Sequence, residues 1–475
     1  MLKIYNTLTK EKSDFKPIEK DKVKMYVCGP TVYDSPHIGH ARSAYVFETA
    51  RKYFEYIGFK VVLVRNVTDV DDKIINKAAG ELEKTSGIDA GYALREKCRE
   101  VAKRYLDEYH KAMDSLDIRR PDHEPKATEN INEMIRFIEA LLKKDHAYRA
   151  GGNVYFSVES FDKYGELSGQ DARNMRSGPR ADADGDKRHQ LDFALWKKVK
   201  SGEPSWGSPW GEGRPGWHIE CSVMSTVILG HEFDIHGGGL DLVFPHHENE
   251  KAQAEAKTGS AFAHVWMHNG FLTVRGAKMS KSLGNFITVE DYFKKHPDPD
   301  LLKIIFLSSH YRSPVDYSED KVKEAAAAKA RITRFIKNVE LEIERDPSKN
   351  VPIPDRDASV SSFRRAMNDD FNTPDALSAI FEAVQSGNNF LTNGKTKEAC
   401  RERNFIVKCA DILGLSLKVQ DVDKRSAGEI ESLVAEREIA RGRKAFQEAD
   451  AIRERLKEMG VEIEDTSEGT IWRKN

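Results

Sequence analysis

The sequence predicts an α/β protein in which a parallel sheet is split by an inserted region and followed by helical C-terminal domains. Three observations carry this expectation. The first is a β–loop–α–β unit near the start of the chain. Val23-Lys24-Met25-Tyr26-Val27-Cys28 is short and β-prone and ends at Gly29-Pro30, which closes a strand into a turn. From His40 to Gly58 the apolar residues Ala44, Phe47, Tyr53 and Ile57 recur near a helical period, and Phe59 to Val64 then reads as a second strand. Such a unit begins a parallel sheet. The second observation is that strand signals resume only at Phe233-Asp234-Ile235-His236, followed by Gly237-Gly238-Gly239 and a helix starting near Pro245. The third is that Pro374 to Leu415 and Ala427 to Met459 read as amphipathic helices.

The intervening elements follow in order. Residues 90 to 145 are rich in Ala, Leu, Glu, Lys and Arg and read as helical; Ser168 to His189 is aperiodic and reads as an exposed loop. The Gly-, Pro- and Trp-rich stretch from Trp196 to Trp217 suggests an irregular packed connector, and Arg345 to Asp357 a linker. Thr373 before Pro374 predicts a Thr N-cap, and Val461 to Asn475 a short tail.

Composition narrows the class. A chain of 475 residues, 39% hydrophobic and 32% charged, can bury several cores. The N-terminus reaches charged sequence by Lys10 without an apolar signal core, and no apolar run approaches the roughly 20 residues of a membrane span. Five irregularly spaced cysteines (Cys28, Cys98, Cys221, Cys400, Cys409) fit a reducing compartment rather than a disulfide framework. The expected location is therefore cytoplasmic, with no membrane partner. A net charge of −2 lacks a whole-chain basic footprint but leaves room for RNA read by shape and stacking.

Two strings carry nucleotide chemistry. His37-Ile38-Gly39-His40 opens the first helix, where unpaired N–H groups and the helix dipole favour a phosphate. The two imidazoles can donate hydrogen bonds as charge builds in a pentavalent transition state. Lys278-Met279-Ser280-Lys281-Ser282 places two ammonium groups on a small-residue loop that can close over the β and γ phosphates of ATP. Taken singly, each string also reads as an accident of sequence or a solvated turn; together, across one split sheet, coincidence is improbable.

Four residues on or beside the sheet have metal-ligating chemistry: Cys28, Cys221, His246 and Glu250. On a helix the last two are i and i+4 and share a face, and His247, i and i+3 from Glu250, is an alternative. Two thiolates, an imidazole and a carboxylate suit Zn²⁺ better than Mg²⁺ or Ca²⁺. The long separation of Cys28 from Cys221 leaves open two buried free cysteines beside a surface His–Glu pair.

The two nucleotide strings resemble the signatures of class I aminoacyl-tRNA synthetases. The run Cys28-Gly29-Pro30-Thr31-Val32-Tyr33-Asp34 leading into Pro36-His37-Ile38-Gly39-His40-Ala41-Arg42, with the segments Gly216 to Ser222 and Phe244 to Glu250, resembles cysteinyl-tRNA synthetases over essentially the whole chain. The resemblance implies a Rossmann-like catalytic domain in two halves (1–115 and 216–300) around a connective insertion (116–215). A stem-contact region and linker (301–358), a helical bundle (359–425) and a small anticodon-binding module (426–475) would follow. It implies one zinc ion held by Cys28, Cys221, His246 and Glu250 on the floor of the amino-acid pocket, favouring His246 over His247. It also implies catalytic roles for His37, His40, Lys278 and Lys281, and ATP contacts from Pro30, Thr31, Gly39, Met279, Ser280 and Ser282 besides those four. Substrate contacts would come from Gly29, Thr31, Thr68, Trp217 and His236, with His218 in the pocket wall; by topology Thr68, Asp69 and Asp71, at the end of the second strand, are expected to face the same mouth.

Cysteine and serine differ by one atom, and packing discriminates a methylene-sized difference by only about 1–3 kcal/mol. A zinc ion favours the soft thiolate, so the implied metal recognises substrate, and no editing domain is expected. The implied reaction takes L-cysteine and Mg²⁺-bound ATP to cysteinyl-adenylate and then to tRNA(Cys), in a monomer. At the anticodon end, Arg441, Phe446, Asp450, Asp465 and Trp472 match positions suited to stacking or edge recognition of unpaired bases. Two rival readings remain: a ligase joining activated cysteine to a small amine, which would lack the C-terminal region, and a non-catalytic RNA-binding paralogue, against which the intact histidines and lysines argue.

Overall fold

The computed structural model describes residues 1–82, 90–170, 186–279, 284–354, 357–417, 424–466 and 469–474. They fall in two compact units, Met1–Leu417 and Lys418–Asn475. At the centre of the first is a four-stranded parallel sheet made of β1 (Lys22–Val27), β2 (Lys60–Arg65), β3 (Phe233–Gly239) and β4 (Ala263–Asn269), in the spatial order β4-β3-β1-β2. Strands covered on both faces read as continuous apolar runs rather than alternating ones. Val23, Met25, Tyr26 and Val27 of β1 are accordingly all buried.

Helix α1 (Ile38–Tyr56) connects β1 to β2. It packs closely on the sheet, since a Cβ at Gly237 of β3 would lie 2.3 Å from the Phe47 ring. After β3, α3 (Glu248–Thr258) leads to β4. The chain thus winds outward from β1 to β2 and, in the opposite direction, from β3 to β4. The carboxyl ends of β1 and β3 flank the point where the winding reverses, which is where open parallel sheets bind ligands.

The segment between β2 and β3 ends in α2 (Trp217–Leu229) and is more structured than the sequence suggests. Its helices span Asp72–Leu82, Ala90–Asp114 and Ile131–Lys143. The helical reading of 90 to 145 is interrupted at 115–130, where Asp117 has a positive φ and Pro121 and Pro125 remove N–H donors. An antiparallel sheet joins Ala147–Ala150, Asn153–Phe156, Phe193–Lys198 and Gly213–Pro215. The expected irregular connector therefore begins within one strand and includes another just before α2, with Trp196 paired to Pro215. Three of these four strands have only three or four residues, too few to show alternation in the sequence. Most of the loop expected between Ser168 and His189 lies outside the described residues.

Beyond β4, a small sheet has the order 277–278, 272–274, 315–317, its last two strands parallel. The 27-residue helix Glu319–Arg345 follows, then a bundle of Ala358–Asn368, Thr373–Thr392 and Thr396–Leu413. The bundle shares one apolar core with α1. Tyr45 of α1 donates to the Leu413 carbonyl at 2.5 Å, and Tyr53 to Asn368 Oδ1 at 2.9 Å. The N-cap of the second bundle helix is Asn372, whose side chain accepts from Asp375 N, rather than Thr373. Thr373 occupies the first helical position and donates to the Leu307 carbonyl at 3.0 Å. A buried carbonyl has captured the hydroxyl that would otherwise cap.

The second unit contains helices Lys424–Gly442 and Phe446–Glu458 and an antiparallel hairpin, Val461–Thr466 with Gly469–Lys474. The hairpin replaces the expected tail. Ile430, Leu433, Val434, Leu456 and Val461 form its core. Among the described residues, no helix is long and apolar enough to cross a membrane.

Candidate active site

A cleft of about 560 Å³ opens at the carboxyl ends of β1 and β3. Cys28 continues β1, its N–H donating to the Gly237 carbonyl at 3.0 Å, so the thiol is carried across the sheet toward α3. The turn that follows requires glycine: a Cβ at Gly29 would lie 1.7 Å from the Asn66 carbonyl oxygen. Gly29 N instead donates to Asn66 Oδ1 at 2.8 Å, and Gly29, Pro30 and Thr31 line the cleft wall.

At the floor, Cys28, Cys221, His246 and Glu250 bring one donor atom each to within 4.8 Å of one another. Cys221 comes from α2, Glu250 from α3, and His246 from the π-helical turn Val243–His247 that precedes it. The i, i+4 relation survives that turn, with His246 Nε2 2.9 Å from Glu250 Oε1. Cys28, His236, His247 and Glu250 meet the same distance criterion, so the alternative ligand His247 is brought there too. In both histidines the Nδ1 side is engaged by another imidazole: His246 by His218 at 2.9 Å, and His247 by His268 at 2.8 Å. Nε2 of each then faces the centre, the orientation that an outer partner gives a metal-ligating histidine. His268 in turn meets the Thr7 hydroxyl at 2.8 Å.

The electrostatics favour a cation. Burial alone would raise the Glu250 carboxyl, but His246 and His236 hold it well below the usual carboxylate range. Burial, with Cys221 and Glu250 nearby, pushes the Cys28 thiol well up. For Cys221 burial is outweighed by hydrogen bonding from Cys28 and His246, bringing the thiol down to about 7; His246, against its own burial, is raised to about 10 by Glu250. Burial and the neighbouring His236 drive His247 well down and His268 to about 3. Glu250 Oε2 is buried without a well-aligned hydrogen bond, its near neighbour being His236 Nε2 at 3.2 Å. A buried carboxylate among two thiols and an imidazole is a donor set that fits a soft divalent ion.

Trp217, the first residue of α2, stacks on His246 with centroids 4.0 Å apart and an interplanar angle of 22°, and lines the cleft. His236 is buried beneath the cluster, 3.6 Å from Cys28 Sγ. Thr68 is buried as well; its hydroxyl donates to Glu220 Oε2 at 2.8 Å. Asp69 faces the insertion, accepting from Thr128 N and Oγ1, whereas Asp71 lies beside Trp217 in an adjoining pocket.

At the start of α1 the two histidines form a reciprocal cap. His37 Nδ1 accepts from Gly39 N and His40 N, and His40 Nδ1 accepts from His37 N at 3.2 Å. The rings stack at 3.7 Å. With both Nδ1 atoms accepting, Nε2 is the donor of each neutral ring. Both histidines line the cleft, as does Met279. Lys278 closes a short strand, Ala277–Lys278. Ser280, Lys281 and Ser282 lie outside the described residues.

Sequence reasoning missed the clamp on the far side of α3. Glu248, fully buried, accepts from Gly165 N at 2.9 Å and Ser168 N at 2.8 Å. Asn249 accepts from Tyr164 Oη at 2.6 Å, and Lys251 reaches Glu166 at 3.1 Å. One helix therefore bears Glu250 toward the centre and three side chains that hold the insertion. The signal was an unusually polar helix that is nonetheless buried. In the second unit, Arg441, Phe446 and Asp450 are exposed, Phe446 to 63%. Asp465 and Trp472 lie on the two strands of the hairpin.

Three family models match the chain. They describe a class I (C) tRNA synthetase catalytic domain over residues 14–327, a DALR domain over 362–418 and a cysteinyl-tRNA ligase anticodon binding domain over 425–473. The chain is 45% identical to the cysteine–tRNA ligase of Carboxydothermus hydrogenoformans, with the whole of both chains covered. It is 44% identical to that of Halorhodospira halophila, again over both full lengths. Among solved structures, a methionyl-tRNA synthetase of Mycobacterium tuberculosis in complex with methionyl-adenylate shares the fold, with a TM-score of 0.61 and 13% identity over 83% of this chain and 89% of that one. A putative arginyl-tRNA synthetase of Campylobacter jejuni does so with a TM-score of 0.56 and 13% identity over 85% and 95%.

Proposed function

Since the chain belongs to the cysteine–tRNA ligase family and carries its class I catalytic domain, we propose that it selects cysteine through a zinc ion held by Cys28, Cys221, His246 and Glu250. Its activity is the joining of cysteine to tRNA at the expense of ATP. The match at 425–473 covers the region that a ligase for small amines would lack.

The observation that carries the proposal is the convergence of two thiols, an imidazole and a buried carboxylate at the floor of the cleft. When bound, zinc supplies a soft Lewis acid for the substrate thiolate and discriminates against a serine hydroxyl. The set with two thiols suits that ion better than the one formed through His236 and His247, which has one. In this reading His218 and His268 orient imidazoles, and Trp217 closes the wall beside His246.

The cysteine carboxylate attacks the α phosphorus of Mg²⁺-bound ATP, pyrophosphate leaves, and cysteinyl-adenylate forms. The Nε2–H groups of His37 and His40 stabilise charge on the phosphate at the amino end of α1. Lys278 and Lys281 neutralise the departing pyrophosphate. A terminal ribose hydroxyl of tRNA(Cys) then attacks the acyl carbon, and AMP leaves; no covalent enzyme intermediate is required. Gly29, Pro30, Thr31, Gly39 and Met279 shape the cleft for nucleotide and amino acid; ATP contacts from Ser280 and Ser282 follow from the family resemblance alone. His236 and Thr68 act from beneath, and Arg441, Phe446, Asp450, Asp465 and Trp472 read the anticodon. The reading divides the chain into catalytic halves 1–115 and 216–300, connective insertion 116–215, stem-contact region and linker 301–358, bundle 359–425 and anticodon module 426–475; the family matches at 362–418 and 425–473 support the last two. A cytoplasmic monomer completes the reading.

Metal analysis of the purified protein, paired with amino-acid-dependent ATP–pyrophosphate exchange, tests the proposal. One zinc per chain is expected, with chelation abolishing cysteine-dependent exchange and zinc restoring it. A metal-free protein that still prefers cysteine to serine would overturn it.

A further inference from the structure

Arg42 lies one helical position beyond Ala41, on the buried side of α1, and is 1% exposed. Its guanidinium donates to four backbone carbonyls: Nη1 to Gly270 at 2.7 Å and Phe271 at 2.6 Å, Nη2 to Tyr311 at 3.3 Å and Ser313 at 2.5 Å. Burial lowers its pKa only to about 10, so the group stays cationic at neutral pH. A buried cation compensated by carbonyl dipoles alone is costly to maintain for packing by itself.

The positions of those carbonyls give the interaction a purpose. Gly270 and Phe271 immediately precede strand 272–274, and Tyr311 and Ser313 precede strand 315–317. These strands are parallel neighbours, Leu272 opposite Val315, and the first pairs with Ala277–Lys278. One side chain therefore grips the entrances of both parallel strands of the sheet that bears Lys278. The same helix carries His37 and His40 at its amino end, and the adjacent Ser43 donates to Asn269 Oδ1 at 2.9 Å. Asn269, Gly270, Phe271 and Leu272 in turn line the cleft.

We propose that Arg42 is a positioning residue for amino-acid activation, fixing the Lys278 sheet relative to the histidines of α1 so that both ends of the phosphate chain are met in one geometry. Its planar fork matches divergent carbonyls in a way a single ammonium cannot. The proposal rests on the reading that Lys278 acts on ATP, and Lys278→Ala is included so that the two can fail separately.

The test uses the full chain with tRNA and compares Arg42→Lys, Lys278→Ala and the double variant. Active sites are titrated by adenylate formation, so rates refer to competent protein even where folding is impaired. Arg42→Lys is expected to lower kcat for ATP–pyrophosphate exchange by on the order of a hundredfold, the size of loss that about 1 Å of misplacement produces. The KM for cysteine and the rate of acyl transfer from preformed cysteinyl-adenylate should change far less. The double variant should be scarcely slower than Lys278→Ala, because both act through one geometry. Equal loss in activation and transfer, or additive losses in the double variant, would overturn the positioning role. Full activity in Lys278→Ala would instead refute the reading beneath it.

Discussion

Glu248 offers a direct measure of how firmly the helix that bears Glu250 is tied to the insertion. Its carboxylate is fully buried and receives two backbone N–H groups, Gly165 at 2.9 Å and Ser168 at 2.8 Å. In Glu248→Ala both donors lose their acceptor. An unpaired buried N–H costs about 1–3 kcal/mol, and part of that is returned because a buried charge is removed, so a net local loss of about 2–4 kcal/mol is expected. Glu248→Gln keeps one carbonyl acceptor but turns an NH2 toward the second donor, so its loss should be roughly half as large. The effect is local, and hydrogen exchange in a peptide covering Phe161 to Ser168 reads it without assuming that a multidomain chain unfolds in one step. A loss of about 2–4 kcal/mol accelerates exchange by roughly thirtyfold to a thousandfold, since 1.4 kcal/mol is a factor of ten. Exchange in Glu248→Gln indistinguishable from the parent, or slower exchange in Glu248→Ala than in Glu248→Gln, would refute the clamp.

Three further outcomes are expected. His218→Ala, which removes the 2.9 Å partner of His246 Nδ1, should weaken zinc binding by about 10- to 100-fold in a chelator competition while leaving the fold intact. Asp300 is held below the usual carboxylate range: burial opposes this, but Lys329 at 2.9 Å outweighs it. The unfolded chain therefore binds the extra proton first, so Asp300 contributes stability above the ordinary aspartate pKa of about 3.9 and loses it as pH falls toward the lower folded value. Acid unfolding profiles of Asp300→Asn should lack that slope. Phe446→Ala should raise the KM for tRNA, within the roughly 1–3 kcal/mol that one base stack supplies, and leave ATP–pyrophosphate exchange unchanged.

Three of the four central strands were legible as β-prone runs punctuated by glycine (Gly29, Gly58, Gly237), whereas β4 (Ala263–Asn269) was not read. The sequence reading put β1 at Val23 to Cys28 and β3 from Phe233, and the strands lie at Lys22–Val27 and Phe233–Gly239. The cluster of Cys28, Cys221, His246 and Glu250 was legible as chemistry but not as geometry, for Cys28 follows β1 and Cys221 lies on α2, the helix that leads into the neighbouring β3. The insertion's antiparallel sheet escaped notice because its shortest strand, Gly213–Pro215, has too few residues to express alternation. Thr373 was misplaced as a cap because Asn372, equally suited, sits one residue earlier and Leu307 offers the threonine hydroxyl a buried acceptor. Arg42 could not have been singled out by residue type, since its four partners are all backbone.

The interleaving of the two halves of the sheet also sets an order of events during synthesis. Cys28 is translated 193 residues before Cys221 (221 less 28), and the remaining two candidate ligands come later still. At roughly 5–20 residues per second, the first thiol waits about 10–40 s for its nearest partner to be made. Throughout that interval β1 has no β3 to pair with, and the thiol that will end half-buried at the floor of the cleft has none of its later neighbours around it. Completion of the centre thus reports that the chain has been read past its midpoint and folded back onto its beginning.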